Sequence, residues 1–381
     1  MNYRTHNSKT GAPIVVIVCA LVFIVFSFLW LYFFQADVLA VAQHVLSGGR
    51  THYNRTIGAL LITFVLFLLQ RGVYAATKLS RRTHALTYFP SILALTILSN
   101  VPADIDRHVS YGYLLWVVPL ALLLWGVCVW LAKQMLPYSK DVKDATGLFS
   151  SRMWLNMLQM AAMMIAVPLL SNSNAVFHFT VHAEAALMEG DVDEALRVGK
   201  KSLETDENLT MLRAFALSKK GMLGESLFDY AVAGTSNDLL PMAGSKSRLR
   251  LMPDSLLWEH FGRQPEQFMS IRRYLDSLET DTMATSAYRD YRLVGLLIDR
   301  QIDSFAVTLP RYYMVNDSLP RSYREALQVY QHQHDTVLYA DTLMQTVWQE
   351  YLLLDSIPTP TERKIRAADK FRNTYWYYYY Q

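Results

Sequence analysis

The chain has 381 residues, 52% hydrophobic and 18% charged, with a formal net charge of +3. That sum hides two unlike halves: residues 1–171 carry 13 Lys+Arg against 5 Asp+Glu, a balance of +8, and residues 172–381 carry 23 against 28, a balance of −5. The basic excess sits between hydrophobic runs, so it argues membrane topology rather than nucleic-acid affinity.

From the N-terminus, five apolar runs suggest membrane-spanning helices, each near the ~20 residues a bilayer requires. They cover 13–34, 57–76, 85–101, 111–132 and 153–170. The first carries no charge and is longer than a signal-peptide core, so it is expected to stay as an anchor even though "AVA" at 40–42 resembles a cleavage motif. Cys19 and Cys128 fall inside these runs without CxxC or Cys/His spacing, which points to packing rather than a disulfide or a metal. Arg71 lies near the end of the second run, within reach of lipid headgroups. The third run is short and contains Pro90. In the fifth, Met153, Met157, Met160 and Met164 share one helical stripe beside Asn156 and Gln159, a pattern suited to helix–helix packing.

Positive charge orients the runs. Arg4, Lys9, Lys78, Arg81, Arg82, Lys133, Lys140, Lys143 and Arg152 flank one set of ends, and only Arg50, Arg55 and Arg107 flank the other. The expectation is a multi-pass inner-membrane protein with a cytoplasmic N-terminus and a periplasmic C-terminal domain. The outward connections, 35–56 and 101–110, hold the main candidates for chemistry: Asp37, His44, Arg50, His52 and Arg55 in one, Asp104, Asp106, Arg107 and His108 in the other. His with Asp can ligate a metal or exchange protons. The plainer reading is polarity at a wet membrane edge, since no ligand pair has i, i+4 spacing. "SRR" at 80–82 and "SKDVKD" at 139–144 read as topology determinants facing anionic lipid.

After a polar break at 171–174, hydrophobicity becomes periodic, dividing the chain into a membrane domain, 1–171, and a helical domain, 172–381. Residues 182–203 resemble 212–233 at an offset of 31: Gly190 matches Gly221, Ala183 matches Ala214, and Glu194-Ala195-Leu196 matches Glu225-Ser226-Leu227. Each glycine falls where a chain leaves a helix with φ > 0, and small residues let paired helices approach. Over about 60 residues this resembles the tetratricopeptide family. It departs at Gly199, where that family has a large aromatic, and in lacking the closing proline.

Further helices are expected over 265–279, 284–299, 301–313, 320–332, 341–355 and 360–372, the last with Thr359 as N-cap, Pro360 in the first turn and Glu362 at the capping-box position. "SKSRLRLMP" at 245–253 is basic but lacks interleaved aromatics, which argues against nucleic-acid binding. The "YWYYYY" tail cannot turn every ring inward from one helix, and an extended end packed in the last groove is expected, against a lipid belt or a partner-binding tip. Three stretches, 41–59, 318–330 and 374–381, resemble an uncharacterised family of Bacteroidales membrane proteins, a resemblance that implies this architecture and no assigned activity. The whole reads as an all-α chain, polytopic transmembrane helices followed by a tetratricopeptide-like repeat domain. Its expected partners are the bilayer and a protein or peptide, with no nucleic acid and no small-molecule substrate. No phosphate-binding loop, GxSxG, HExxH or paired-Cys motif is present, so no catalytic, cofactor-binding or metal site is assigned and an enzyme is not expected. The alternative is a component of a membrane enzyme or transport system acting through the outward loops.

Overall fold

The computed structural model describes residues 12–107, 112–135, 150–266, 268–335 and 338–381, and among these every regular element is helical. Contacts divide the chain into two compact units, Met1–Asn174 and Ala175–Gln381.

In the first unit, α1 (Ala12–Leu29) runs into a π-helical turn, Trp30–Phe34, where the Gln35 N–H reaches back five residues to the Trp30 carbonyl. A short helix follows, α2 (Ala36–Leu46), then α3 (Arg55–Thr77), begun by the Asn54 side chain accepting from the Thr56 and Ile57 N–H groups. The next segment differs from expectation. In place of a spanning α-helix over 85–101, a 3₁₀ helix covers Arg81–Tyr88 and α4 covers only Phe89–Ser99. Pro90 lies in the first turn of α4, where its missing N–H does no harm, so it starts an α-helix rather than interrupting one. The unit closes with α5 (Leu114–Gln134) and α6 (Ser151–Leu170). By length and composition four helices can cross a membrane: Ile14–Phe34, Arg55–Thr77, Leu114–Gln134 and Ser151–Leu170.

Residues 81–99 nevertheless traverse the unit from end to end. The 3₁₀ stretch is kinked at Thr83, which is non-helical, so Arg81–Ala85 fold around one point and the chain advances along the unit from Ala85 onward. Hydrogen bonds fix both ends. At one, Asn156 of α6 accepts from the Ala85 N–H at 2.8 Å and donates to the Arg81 and Arg82 carbonyls. At the other, Trp30 Nε1 donates to Ser99 Oγ at 2.8 Å and Asn172 Nδ2 to the Val101 carbonyl at 2.6 Å. The segment is therefore parallel to α1 and α6. Gln70 Nε2 donates to Thr87 Oγ1 and Ser91 Oγ to the Leu66 carbonyl, so α3 runs the opposite way. So does α5, whose Trp125 Nε1 meets the Leu86 carbonyl while Tyr113, just before it, meets Leu170. Five segments thus alternate in direction within the unit. Met153, Met160 and Met164 line their shared core with Phe23, Leu66 and Tyr88.

In the second unit, α7 (Ala175–Glu189) and α8 (Val192–Arg197) form one hairpin, and α9 (Glu207–Lys219) with α10 (Leu223–Ser226) forms the next. The turns match bond for bond. Asp191 N–H donates to the Ala186 carbonyl and Met222 N–H to Leu217, with Gly190 at φ +83 and Gly221 at φ +67. Nothing lies within 4 Å of a Cβ built on either glycine, so conformation rather than crowding selects it. The second helices are short. Gly199, at φ +60, ends the first repeat, and the Phe179 ring fills its space: a Cβ there would lie 2.8 Å from Phe179 Cδ2. Arg213, buried, ties the copies together by donating to the Val198, Gly199 and Ala231 carbonyls.

Helices α11 (Asp254–Phe261), α12 (Ile271–Glu279), α13 (Ala287–Ile298), α14 (Ile302–Thr308), α15 (Arg321–His334), α16 (Thr342–Leu352) and α17 (Pro360–Phe371) continue the unit. The sequence did not announce α11; the order from α12 onward follows the expected series, with a later start at Ile271 and with 3₁₀ turns replacing the ends of two expected helices at Leu309–Arg311 and Leu353–Ser356. Thr359 occupies the N-cap of α17 without a side-chain bond, and Glu362 pairs with Arg366 instead. The aromatic tail is not extended. It forms α18 (Tyr375–Tyr380), capped by Thr374 Oγ1 accepting from the Tyr377 N–H. Tyr375 and Trp376 are buried in the unit's core and the rings grow more exposed toward Tyr380.

Candidate functional site

The outward connections assemble only in part. Asp37 lies in the first turn of α2 and His44 in its last, about 10 Å apart along the axis. The chain then reverses through Gly48 and Gly49, both at positive φ, which brings the His52 ring to 6.4 Å from His44, edge to face. Arg50 is exposed. Arg55 opens α3, donating from Nε to the Tyr32 carbonyl at 2.6 Å with its guanidinium 4.7 Å over the Tyr32 ring. Asp104, Asp106 and Arg107 belong to a turn closed by the Arg107 N–H on the Asp104 carbonyl. His108 lies outside the described residues, as do Arg4, Lys9, Lys140 and Lys143. Among the described residues no three His, Cys, Asp or Glu side chains gather as a metal-binding set.

The basic stretch 245–253 is a strap pinned to the second unit through its backbone. Asp238 accepts from the Lys246 N–H, Asn208 from Arg248, and Glu184 Oε1 alone from Arg250, Leu251 and Met252 at 2.6, 2.7 and 2.9 Å. Arg250 is buried with its guanidinium 5.6 Å over Phe177.

Sequence reasoning missed a broad concave surface of the second unit. A groove of about 910 Å³ is bordered on the repeat side by Lys200, Lys201 and the run Tyr230–Gly234, and on the C-terminal side by Arg300, Arg372 and Tyr378. Three aspects define it. All four cations are exposed, and among the described residues none has a carboxylate within ion-pair distance, although the unit as a whole is acidic. Asp229, which also borders the groove, is engaged by Arg321 at 2.5 Å. Two cations stand over tyrosine faces, Arg300 at 5.3 Å from the Tyr378 centroid and Lys200 at 5.7 Å from Tyr230, which fixes charge beside flat apolar surface.

The C-terminal wall is held by one charge cluster, half-buried except for the fully buried Glu325. The Arg321 backbone N–H meets Glu225 and its guanidinium meets Asp229 and the Asn373 carbonyl, while Glu325, also beside Arg321, accepts from the Tyr375 N–H at 2.6 Å. Tyr378 OH donates to the Ile298 carbonyl at 2.9 Å. The groove wall is thus tied to the second repeat, α13 and α15 together. The only sequence signal for it was the tail's aromatic content.

No curated protein and no solved structure matches the chain. Residues 260–381, about a third of it, match the model of a family of unknown function, DUF6057, so the C-terminal helices that form one wall of the groove are similar to an uncharacterised family.

Proposed function

We propose that this is a multi-pass inner-membrane protein that displays a tetratricopeptide-like helical unit, residues 175–381, to a protein or peptide in the periplasm. The membrane half is supported by four long apolar helices and by the alternation of five passes, which sets the two ends of the first unit on opposite sides. The excess of Lys and Arg at the N-terminal side then gives a cytoplasmic N-terminus. The tetratricopeptide-like reading is supported by two hairpins sharing one turn geometry at an offset of 31, since stacked hairpins build extended binding surfaces.

The observation that carries this reading is the open groove in the second unit. Cross-linking in intact cells, followed by mass spectrometry, is expected to yield adducts between residues of 175–381 and another protein. A surface that gathers no adduct across growth conditions would overturn the role.

One observation favours a second reading, a membrane enzyme or transport component acting through the outward loops: the contact of His44 with His52 beside a π-helical turn, an element frequent at functional sites. Under it, replacing both histidines with alanine abolishes the cellular phenotype at unchanged protein level.

A further inference from the structure

Three hairpin turns in the second unit share one hydrogen-bond geometry, and the third breaks the residue rule of the first two. After α13 the Arg300 N–H donates to Leu297 and the Gln301 N–H to Leu296, as Gly190 and Asp191 donate to Leu187 and Ala186, and Gly221 and Met222 to Ser218 and Leu217. The left-handed position is glycine in two turns and Arg300, at φ +57, in the third. A residue with a Cβ is disfavoured there, so the side chain has a use that outweighs the backbone cost. That side chain reaches the groove, where it stacks on Tyr378 and donates from one nitrogen to the Tyr378 carbonyl at 3.1 Å, leaving its charge without a carboxylate among the described residues.

The opposite side of the groove offers backbone. Tyr230 is extended, at φ −108 and ψ 158, and Ala231–Ala233 continue without helical structure. The Ala231 carbonyl accepts from Arg213 and the Ala233 N–H donates to Thr210, both toward the repeat. In an extended chain successive peptide groups face opposite ways, so the Val232 N–H and carbonyl face away from the repeat, and among the described residues neither is hydrogen-bonded. Half-buried extended backbone with unpaired groups, bordered by cations that meet no carboxylate among the described residues, suits a ligand that is itself extended, hydrogen-bonding along its length and acidic.

Resting on the protein-binding role above, we infer that this groove binds an acidic peptide segment in extended conformation, paired with the backbone at Val232 and neutralised by Lys200, Lys201, Arg300 and Arg372. A free anion or a polyanion satisfies the cations but not the backbone. A neutral peptide does the reverse.

The test uses the full-length protein in neutral detergent and a fluorescein-labelled dodecapeptide of alternating glutamate and alanine, followed by anisotropy. Saturable binding is expected. The double variants K200E/K201E and R300G/R372E should each weaken it by about tenfold or more, as should backbone N-methylation of the peptide, and added salt should weaken it progressively. R372E alone is the folding control: Arg372 is exposed and forms no ion pair among the described residues, so the thermal midpoint should hold while affinity falls. Absence of binding at low salt overturns the inference, as does binding indifferent to the groove variants. A heparin fragment or an N-methylated peptide bound equally tightly overturns it too, because a cationic surface alone then accounts for the result. Photo-cross-linkers at Val232 and, outside the groove, at Val307 separate this failure from that of the broader role: cellular adducts at Val307 alone retain a protein partner and reject this groove, and none at either rejects both.

Discussion

Glu325 is buried in the second unit among charges of both signs. Burial pushes its carboxyl up to about 7, the Tyr375 N–H and Arg321 pull it down, and Asp229 and Glu225 push it further up. Since the folded value lies above the usual 4.5, proton uptake favours the folded form. The group's stabilising contribution is whole below pH 4.5 and is lost as pH rises through about 7. Asp290 and Glu184 shift upward as well, also through burial. Amide exchange at Tyr375, corrected for its intrinsic pH dependence, should therefore be slower at pH 6 than at pH 8, and Glu325→Gln should flatten the difference. Equal protection of the wild type at both values would contradict this account. None of it was legible in the sequence, where Glu325 is one acidic residue in "SYREALQVY" and its neighbours Glu225, Asp229 and Tyr375 lie 50 to 100 positions away.

At the level of elements, local signals were readable and tertiary ones were not. Gly190 and Gly221 announced their turns because positive φ is a local demand that glycine meets at little cost. Arg300 makes the same turn invisibly, since nothing in "DRQID" marks a left-handed residue. The tail misled because aromatics favour strands, whereas the Thr374 cap and two core-facing rings hold it as a helix. The third run was read as a short, proline-bearing span, and hydropathy gave no sign of its 3₁₀ half because it does not distinguish a 3₁₀ turn from an α turn. Its anchor is Asn156, which meets four backbone groups, including the Arg152 carbonyl of its own helix, while nearby Gln159 has a buried, unpaired Oε1. Asn156→Leu leaves the Ala85 N–H without its acceptor and should lower stability in detergent by about 1–2 kcal/mol. Gln159→Leu should cost little or raise it. Comparable losses from both would remove Asn156 from this role.

For the whole molecule, the parity of the passes decides which compartment receives the second unit. In the arrangement proposed above, four long helices alone would return the chain to its starting side, and a crossing by residues 81–99, which join the same two ends of the unit, makes the count odd. A phosphatase active only after export, fused after Gln381, should be active, and a fluorescent protein that matures only in the cytoplasm should be dark there. The reverse pair of results would put the second unit, and its partner class, in the cytoplasm. The charge asymmetry carried this orientation in the sequence. Beyond the tail's aromatic content the groove did not show, because its borders come from residues 200–205, 228–234, 300 and 368–381, which only folding brings together.

The composition of that third pass bears on how the protein is made. Arg81, Arg82, Thr83 and His84 open it, and His84, Thr87 and Ser91 are buried against neighbouring helices rather than lipid. A nascent segment so polar has little reason to leave the translocation channel sideways into hydrocarbon by itself. Asn156, which caps its polar end, emerges from the ribosome only after α5 has been synthesised. In the five-pass arrangement proposed above, the middle helix is thus the last to settle, and a ribosome stalled before Ser151 would leave a chain whose later segments face the wrong side until α6 arrives to draw it in.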